Sequence, residues 1–252
     1  MPLPVERSGN PSLNPTTFTS QPRPALAAER MTINGAINKS FLLLIVLLAA
    51  ALWPWSQYLS TGDASVVSTS ILIGTIGGLI LALIISFKAN LAPYLAIPYA
   101  ALEGLAIGGI SAILEHRYAG IAMQAVGLTF GVLAVLLVAY RAGWIRATEQ
   151  FRAIVIGATG AIAVVYLLSF VLGLFHVNVP VLNDASPLGI GISLVIVGVA
   201  ALNLVLDFDL IEQGAARGAP RYMEWYAAFA LLVTLVWLYL EILRLLGKVR
   251  RQ

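Results

Sequence analysis

Charge is scarce in this chain and cysteine is missing altogether. Of 252 residues, 15 are Lys or Arg and 12 are Asp or Glu, so 11% carry charge and the net is +3. Roughly a quarter of residues are charged in a soluble domain. With 60% apolar residues and a mean hydropathy of +0.90, the shortage excludes a soluble globular protein, an intrinsically disordered chain and a nucleic-acid binder. The absence of cysteine excludes a disulfide framework, a thiolate metal site and a cysteine nucleophile. HExxH, GxSxG and a Gly-rich phosphate loop are also missing, so the sequence displays no site for a membrane protease, a lipase or a nucleotide-driven pump. An enzyme is the least favoured class. His116 and His176 fall in loops far from paired acids, which gives no metal-ligand spacing. No cofactor is expected, and a metal ligand set stays unassigned.

What the sequence has in quantity is long apolar runs. Residues 1–30 form a separate unit by composition, with six of the twelve prolines and no apolar run longer than a few residues. They read as a flexible tail, without the basic lead and short apolar core of a signal peptide. The transmembrane domain is expected over 31–252. Its apolar stretches run from Ser40 to Gly62, Ala64 to Phe87, Leu91 to Leu114, Tyr118 to Tyr140, Ala153 to Phe175, Ser186 to Phe208 and Trp225 to Gly247. Each is close to the ~20 residues that cross hydrocarbon as a helix. Trp53, Trp55 and Tyr58 suit the headgroup level at the end of the first. The ~10-residue alternating segments of a barrel are absent. The expected fold is an all-α integral membrane bundle of seven helices.

Arginine and lysine orient the bundle. With the N-terminus cytoplasmic, the tail and the cytoplasmic loops hold ten: Arg7, Arg23, Arg30, Lys39, Lys88, Arg141, Arg146, Arg152, Arg217 and Arg221. The external loops hold one, Arg117, so the positive-inside rule favours N-in. Arg244, Lys248, Arg250 and Arg251 then end outside, against the rule. The earlier helices normally decide orientation. Gly74/Gly78, Gly104/Gly108 and Gly127/Gly131 have the spacing of close helix contacts, and ordinary packing within one chain is favoured over a dimer interface.

Four acids lie where the bilayer disfavours them, at a cost of roughly 2.5–3.5 kcal/mol each unless paired, hydrated or neutral. They are Glu103, Asp207, Asp209 and Glu241. Asp207 and Asp209 are ~200° apart on a helix, so they cannot share a face. Asn203, four residues before Asp207, makes Asp207 the better interior candidate. Asp209 is expected at a solvated helix terminus. Glu241 either pairs with Arg244 three residues on or faces Asp207 and shares a proton with it. In that second arrangement the two carboxyls form a pH-operated latch. Flanking glycines place Glu103 toward the interior, with cation attraction and a structural hydrogen bond as its two readings.

The run Leu206-Asp207 with Ile211, and Leu238-Tyr239-Leu240-Glu241-Ile242 in the seventh span, resembles the transmembrane Bax-inhibitor-motif family. The stretches Asn10 to Phe18, Met31 to Lys39 and Tyr222 to Tyr226 resemble a bacterial subgroup of it. The resemblance implies a bundle with the last helix central, and a pH-sensitive calcium leak in which Asp207 and Glu241 are the sensing acids. Some positions depart from the family pattern. Glu241 stands where Asp is usual, and no acid occurs between Ala64 and Phe87 to partner Lys88. The segment from Asp207 to Glu241 is also longer than usual.

The expected function is therefore a passive cation leak, for Ca²⁺, in a bacterial plasma membrane, gated by protonation of Asp207 and Glu241. Asp209, Asn203, Glu103, Lys88 and Arg244 are secondary candidates. The alternative is a non-conducting adaptor that binds a membrane protease or envelope factor, with the Pro-rich tail as the partner-binding element. Beyond the lipid bilayer and cations, a membrane protein is thus the other partner considered, and the sequence sets no oligomeric state. A proton-coupled transporter would need a substrate pocket that the sequence does not display.

Overall fold

The structure is a computed structural model that describes residues 30–175 and 184–251. The Asn10 to Phe18 stretch, the tail up to residue 29 and His176 lie outside the described residues. Seven helices among the described residues are long and apolar enough to cross a membrane, and no strand occurs there. They are α1 (Ile33–Thr61), α2 (Ala64–Phe87), α3 (Ala92–Arg117), α4 (Ile121–Arg141), α5 (Glu149–Leu174), α6 (Pro187–Ala216) and α7 (Met223–Val249). A 3-10 turn, Ala89–Leu91, leads into α3. A protein that meets lipid has to satisfy its backbone polar groups within each span, which is why nearly the whole described chain is helical.

Side chains at the span ends set the helix starts. Thr32 accepts from Gly35 N at the start of α1, Asp63 from Ser65 N at α2, Thr148 from Phe151 N at α5 and Ser186 from Gly189 N at α6. These are the oxygen-bearing side chains that answer unpaired N–H groups in a first turn. Gly62 closes α1 in the left-handed region, at φ 65°, and its N–H donates to Tyr58 O. Two helices run well beyond their apolar cores. α1 starts at Ile33 rather than Ser40, because Thr32 caps it ahead of the polar residues. α6 continues past Phe208 to Ala216, carrying Asp209 and Glu212 inside the helix.

Glycine and alanine decide how closely the first three helices approach. A Cβ at Gly74 would meet Ala106 Cβ at 2.9 Å, and one at Gly104 would meet Ala50 Cβ at 2.8 Å. Both pairs Gly74/Gly78 and Gly104/Gly108 therefore serve packing of α3 against α2 and α1. Gly127 and Gly131 have open space where a Cβ would go.

The last helix is the hub. α7 buries fifteen of its residues and packs on α6, α1, α3 and α4. α5, no less apolar, buries one, Val155, and rests mainly on α6. Such a helix presents its apolar surface to lipid, where a soluble protein would hide it. Tyr99, Phe229, Leu232, Leu238 and Leu243 belong to the core that gathers around α7. The helices alternate in direction. One end of the bundle, the Glu224 end, holds the N-termini of α1, α3, α5 and α7; the other is the Lys248 end.

Candidate functional site

Polar groups inside the bundle collect along the α5–α6–α7 seam. Nearest the middle is Asp207 of α6. The residue is half-buried, its Oδ2 is sealed from solvent without a hydrogen-bond partner, and its hydrogen-bonding neighbour is the Thr234 hydroxyl of α7. Thr234 also reaches Ala230 O at 3.2 Å, the usual way a mid-helix threonine satisfies its hydroxyl in an apolar bundle.

Glu241 sits two turns further along α7, about 10 Å from Thr234 along the helix axis. It is 2% exposed, and its carboxylate accepts from Arg244 Nη1 at 2.9 and 3.1 Å and from the Tyr166 hydroxyl of α5 at 2.7 Å. Arg244 also donates to Tyr166 Oη at 2.5 Å and lies 5.1 Å from its ring centre. Of the two arrangements open in the sequence, the structure adopts the pair with Arg244. A direct Asp207–Glu241 carboxyl contact does not form, because the two acids stand at different levels and Glu241 turns toward α5.

Two further expectations are corrected on α6. Asp209 is not at a solvated terminus: the helix runs on for two more turns, and the half-buried carboxylate is ion-paired with Arg152 of α5 and accepts from Gln213 Nε2 at 2.8 Å. Asn203 does not accompany Asp207, because its amide donates to Thr159 Oγ1 at 2.8 Å and Val199 O at 2.9 Å. Nearby, the Tyr140 hydroxyl of α4 donates to Glu212 at 2.6 Å.

Glu103 does face a neighbouring helix. Its carboxylate lies against Gly78 of α2, where a Cβ would stand 2.9 Å from Oε1, and it is hydrogen-bonded with Tyr99 one turn earlier on α3. Lys88 is exposed at the end of α2, with no carboxylate within ion-pair distance among the described residues, so Glu103 does not replace its missing partner.

Sequence reasoning passed over two buried charges. Glu224, 3% exposed in the first turn of α7, is ion-paired with Lys39 of α1. It also accepts from Thr32 N and Thr32 Oγ1, each at 2.9 Å. Gly35 is required beside it, since a Cβ there would land on the Glu224 carboxylate. Both partners lie at span ends, where Lys39 reads as a loop charge and Glu224 draws no reading of its own. The available signal was the polar first turn Thr32-Ile-Asn-Gly in front of an apolar run. Lys248, also 3% exposed, donates to Gly189 O at 3.0 Å and Ser193 Oγ at 2.8 Å of α6. It therefore closes the other end of the α6–α7 pair, whereas its sequence position suggested only a basic tail.

Among the described residues no three His, Asp or Glu side chains gather as a metal centre. What the seam offers is a ladder of carboxyls: Asp209, Asp207 and Glu241 at successive depths. The first and last are held by arginines. The middle one has a hydroxyl and a free oxygen. A family model described as Bax inhibitor 1 like matches residues 10–251. Neither a curated protein nor a solved structure matches the chain.

Proposed function

The chain belongs to the Bax inhibitor 1 like family, a membrane family, and from that premise we propose that it is a pH-sensitive passive leak for cations, Ca²⁺ foremost, with Asp207 as the proton-binding gate. The observation that carries this reading is the unanswered Oδ2 of Asp207 at the interface of α6 with the central helix. An ionisable group inside a membrane bundle with no opposite charge is costly to keep and marks an ion or proton path.

The arginines of the two helices beside Asp207 in the seam are paired with other acids. On α5, Arg152 holds Asp209; on α7, Arg244 holds Glu241. Asp207 therefore changes the net charge of the seam whenever it gains or loses a proton. As the neutral acid it can share a hydrogen bond with Thr234 and keep α6 against α7. As the carboxylate it has no cation in the protein, and it either draws one from solution or loosens the contact. A hard divalent cation suits carboxylate and carbonyl oxygens. Passage requires binding weak enough to release, so a single carboxylate fits a leak better than a closed cage would.

Glu241 with Arg244 and Tyr166 is then a fixed second level of the path. On this reading the N-terminus is cytoplasmic, the membrane is a bacterial plasma membrane, and the protein uses no cofactor and has no catalytic step. The test is Ca²⁺ entry into proteoliposomes measured against pH. Flux should rise with pH in the wild type and lose that dependence in Asp207→Asn.

A further inference from the structure

A long groove runs between α1 and α4 and meets the acidic seam at Asp209. α1 and α4 both pack around α7 but barely touch each other, and the gap between them is floored by Leu231, Leu232 and Leu235 of α7. Two cavities, of about 1000 Å³ toward the Glu224 end and about 470 Å³ beyond it, share Leu44, Phe130 and Leu235 and so form one groove. The smaller part is almost wholly apolar, and it ends near Trp55 and Tyr239.

The larger part has two characters. Along α4 it extends from Phe130 to Tyr140, about 15 Å of helix. That is half of a ~30 Å hydrocarbon core, the depth of one leaflet. Its inner wall is apolar, and its mouth carries Arg141 and Arg146. Trp144, 81% exposed between them, is the kind of side chain that lies at the headgroup level. Both arginines are exposed and have no carboxylate within ion-pair distance among the described residues. Of the acids at the mouth, Asp209 is ion-paired with Arg152, and Glu212 accepts from Tyr140 and keeps its charge, so the mouth holds one positive charge in excess. Two guanidiniums are thus left at headgroup depth above an apolar slot one leaflet deep. Water in such a slot would be unfavourable, and acyl chain is the solvent at hand. Guanidiniums prefer phosphate oxygens, which they can bind through two N–H groups at once.

We infer that the Glu224-end half of the α1–α4 groove is a binding site for one phospholipid of the adjoining leaflet, its phosphodiester on Arg141 and Arg146 and an acyl chain along α7.

Native mass spectrometry of the full chain in detergent tests it, with phosphatidylglycerol and a diacylglycerol of the same chains as probes. The wild type should retain one phosphatidylglycerol per chain and no diacylglycerol. Arg141→Ala/Arg146→Ala should weaken retention at least about tenfold, as expected for losing two charge-assisted contacts. Ala134→Trp, which fills the slot and leaves both arginines, should lower it similarly, whereas Lys88→Ala should leave it unchanged. Unaltered thermal unfolding of each variant certifies its fold. Diacylglycerol retained as well as phosphatidylglycerol, wild-type retention in either groove variant, or an equal loss in Lys88→Ala would overturn the site.

Discussion

Asp207 and Glu241 carry the same functional group on the same packed helix pair, yet they live in different chemistry. Glu241 is enclosed by a guanidinium and a phenol that account for its charge. Asp207 has a threonine hydroxyl and an oxygen with no partner. Asp209 and Glu224 belong with Glu241, each tied to a basic side chain on another helix. The α5–α6–α7 seam therefore contains anchored carboxylates, which fix helix positions, and an unanchored one, whose protonation has somewhere to act. Burial alone does not separate the two kinds, since Glu241 is the more buried residue. The neighbours separate them.

That contrast can be broken most forcefully at the best-anchored acid. Glu224→Ala leaves Lys39, itself mostly buried, without its partner, and removing one member of a buried pair costs about 3 kcal/mol. A drop in detergent unfolding temperature measures it, and Lys39→Ala in the same chain should return part of the loss. Glu241→Gln keeps a hydrogen bond from Tyr166 and frees Arg244, which at 40% exposure can turn toward headgroups. Its cost should be about 1 kcal/mol, with the shape of the flux–pH curve intact. A flattened curve in this variant would move Glu241 into the gating class. Asn203→Ala removes an interhelical amide bond to Thr159 and should cost about 0.6 kcal/mol, the average for such bonds in lipid.

The smallest effect lies outside the spans. The Ser65 side chain and backbone N–H, both bonded to Asp63, hold its carboxyl below the usual range. A depressed folded value means the cap is fully effective above the unfolded carboxylate range and is lost as pH falls through the folded value. Amide exchange in the first turn of α2 should therefore quicken only in acid.

The sequence displayed the seven spans because a membrane helix writes its length in uncharged residues, and each of the seven was found. It also displayed Asp207 as an interior acid. The ends were less legible: Lys39 and Lys248 read as charges outside the spans and Glu224 drew no reading, since hydropathy does not distinguish a charge in headgroups from one pinned across a helix pair. The partners of Glu241 needed a third dimension. Arg244 at three residues' spacing was visible, but Tyr166 lies 75 residues away on α5, and nothing in the sequence says which face of that helix meets α7. Asn203 had the right spacing for Asp207 and was taken by Thr159 instead, because an amide has several bonds to make and an adjacent helix supplied an acceptor.

The most direct measurement is Ca²⁺ flux into proteoliposomes from pH 5 to pH 8 for the wild type and Asp207→Asn, with unfolding temperatures recorded for both. Asparagine keeps the size and hydrogen-bonding capacity of the neutral acid and cannot take a charge. If Asp207 is the unanchored, gating carboxyl, stability changes little, wild-type flux rises with pH, and the variant stays near its low-pH level throughout. A variant whose flux climbs with pH as the wild type's does would contradict the account.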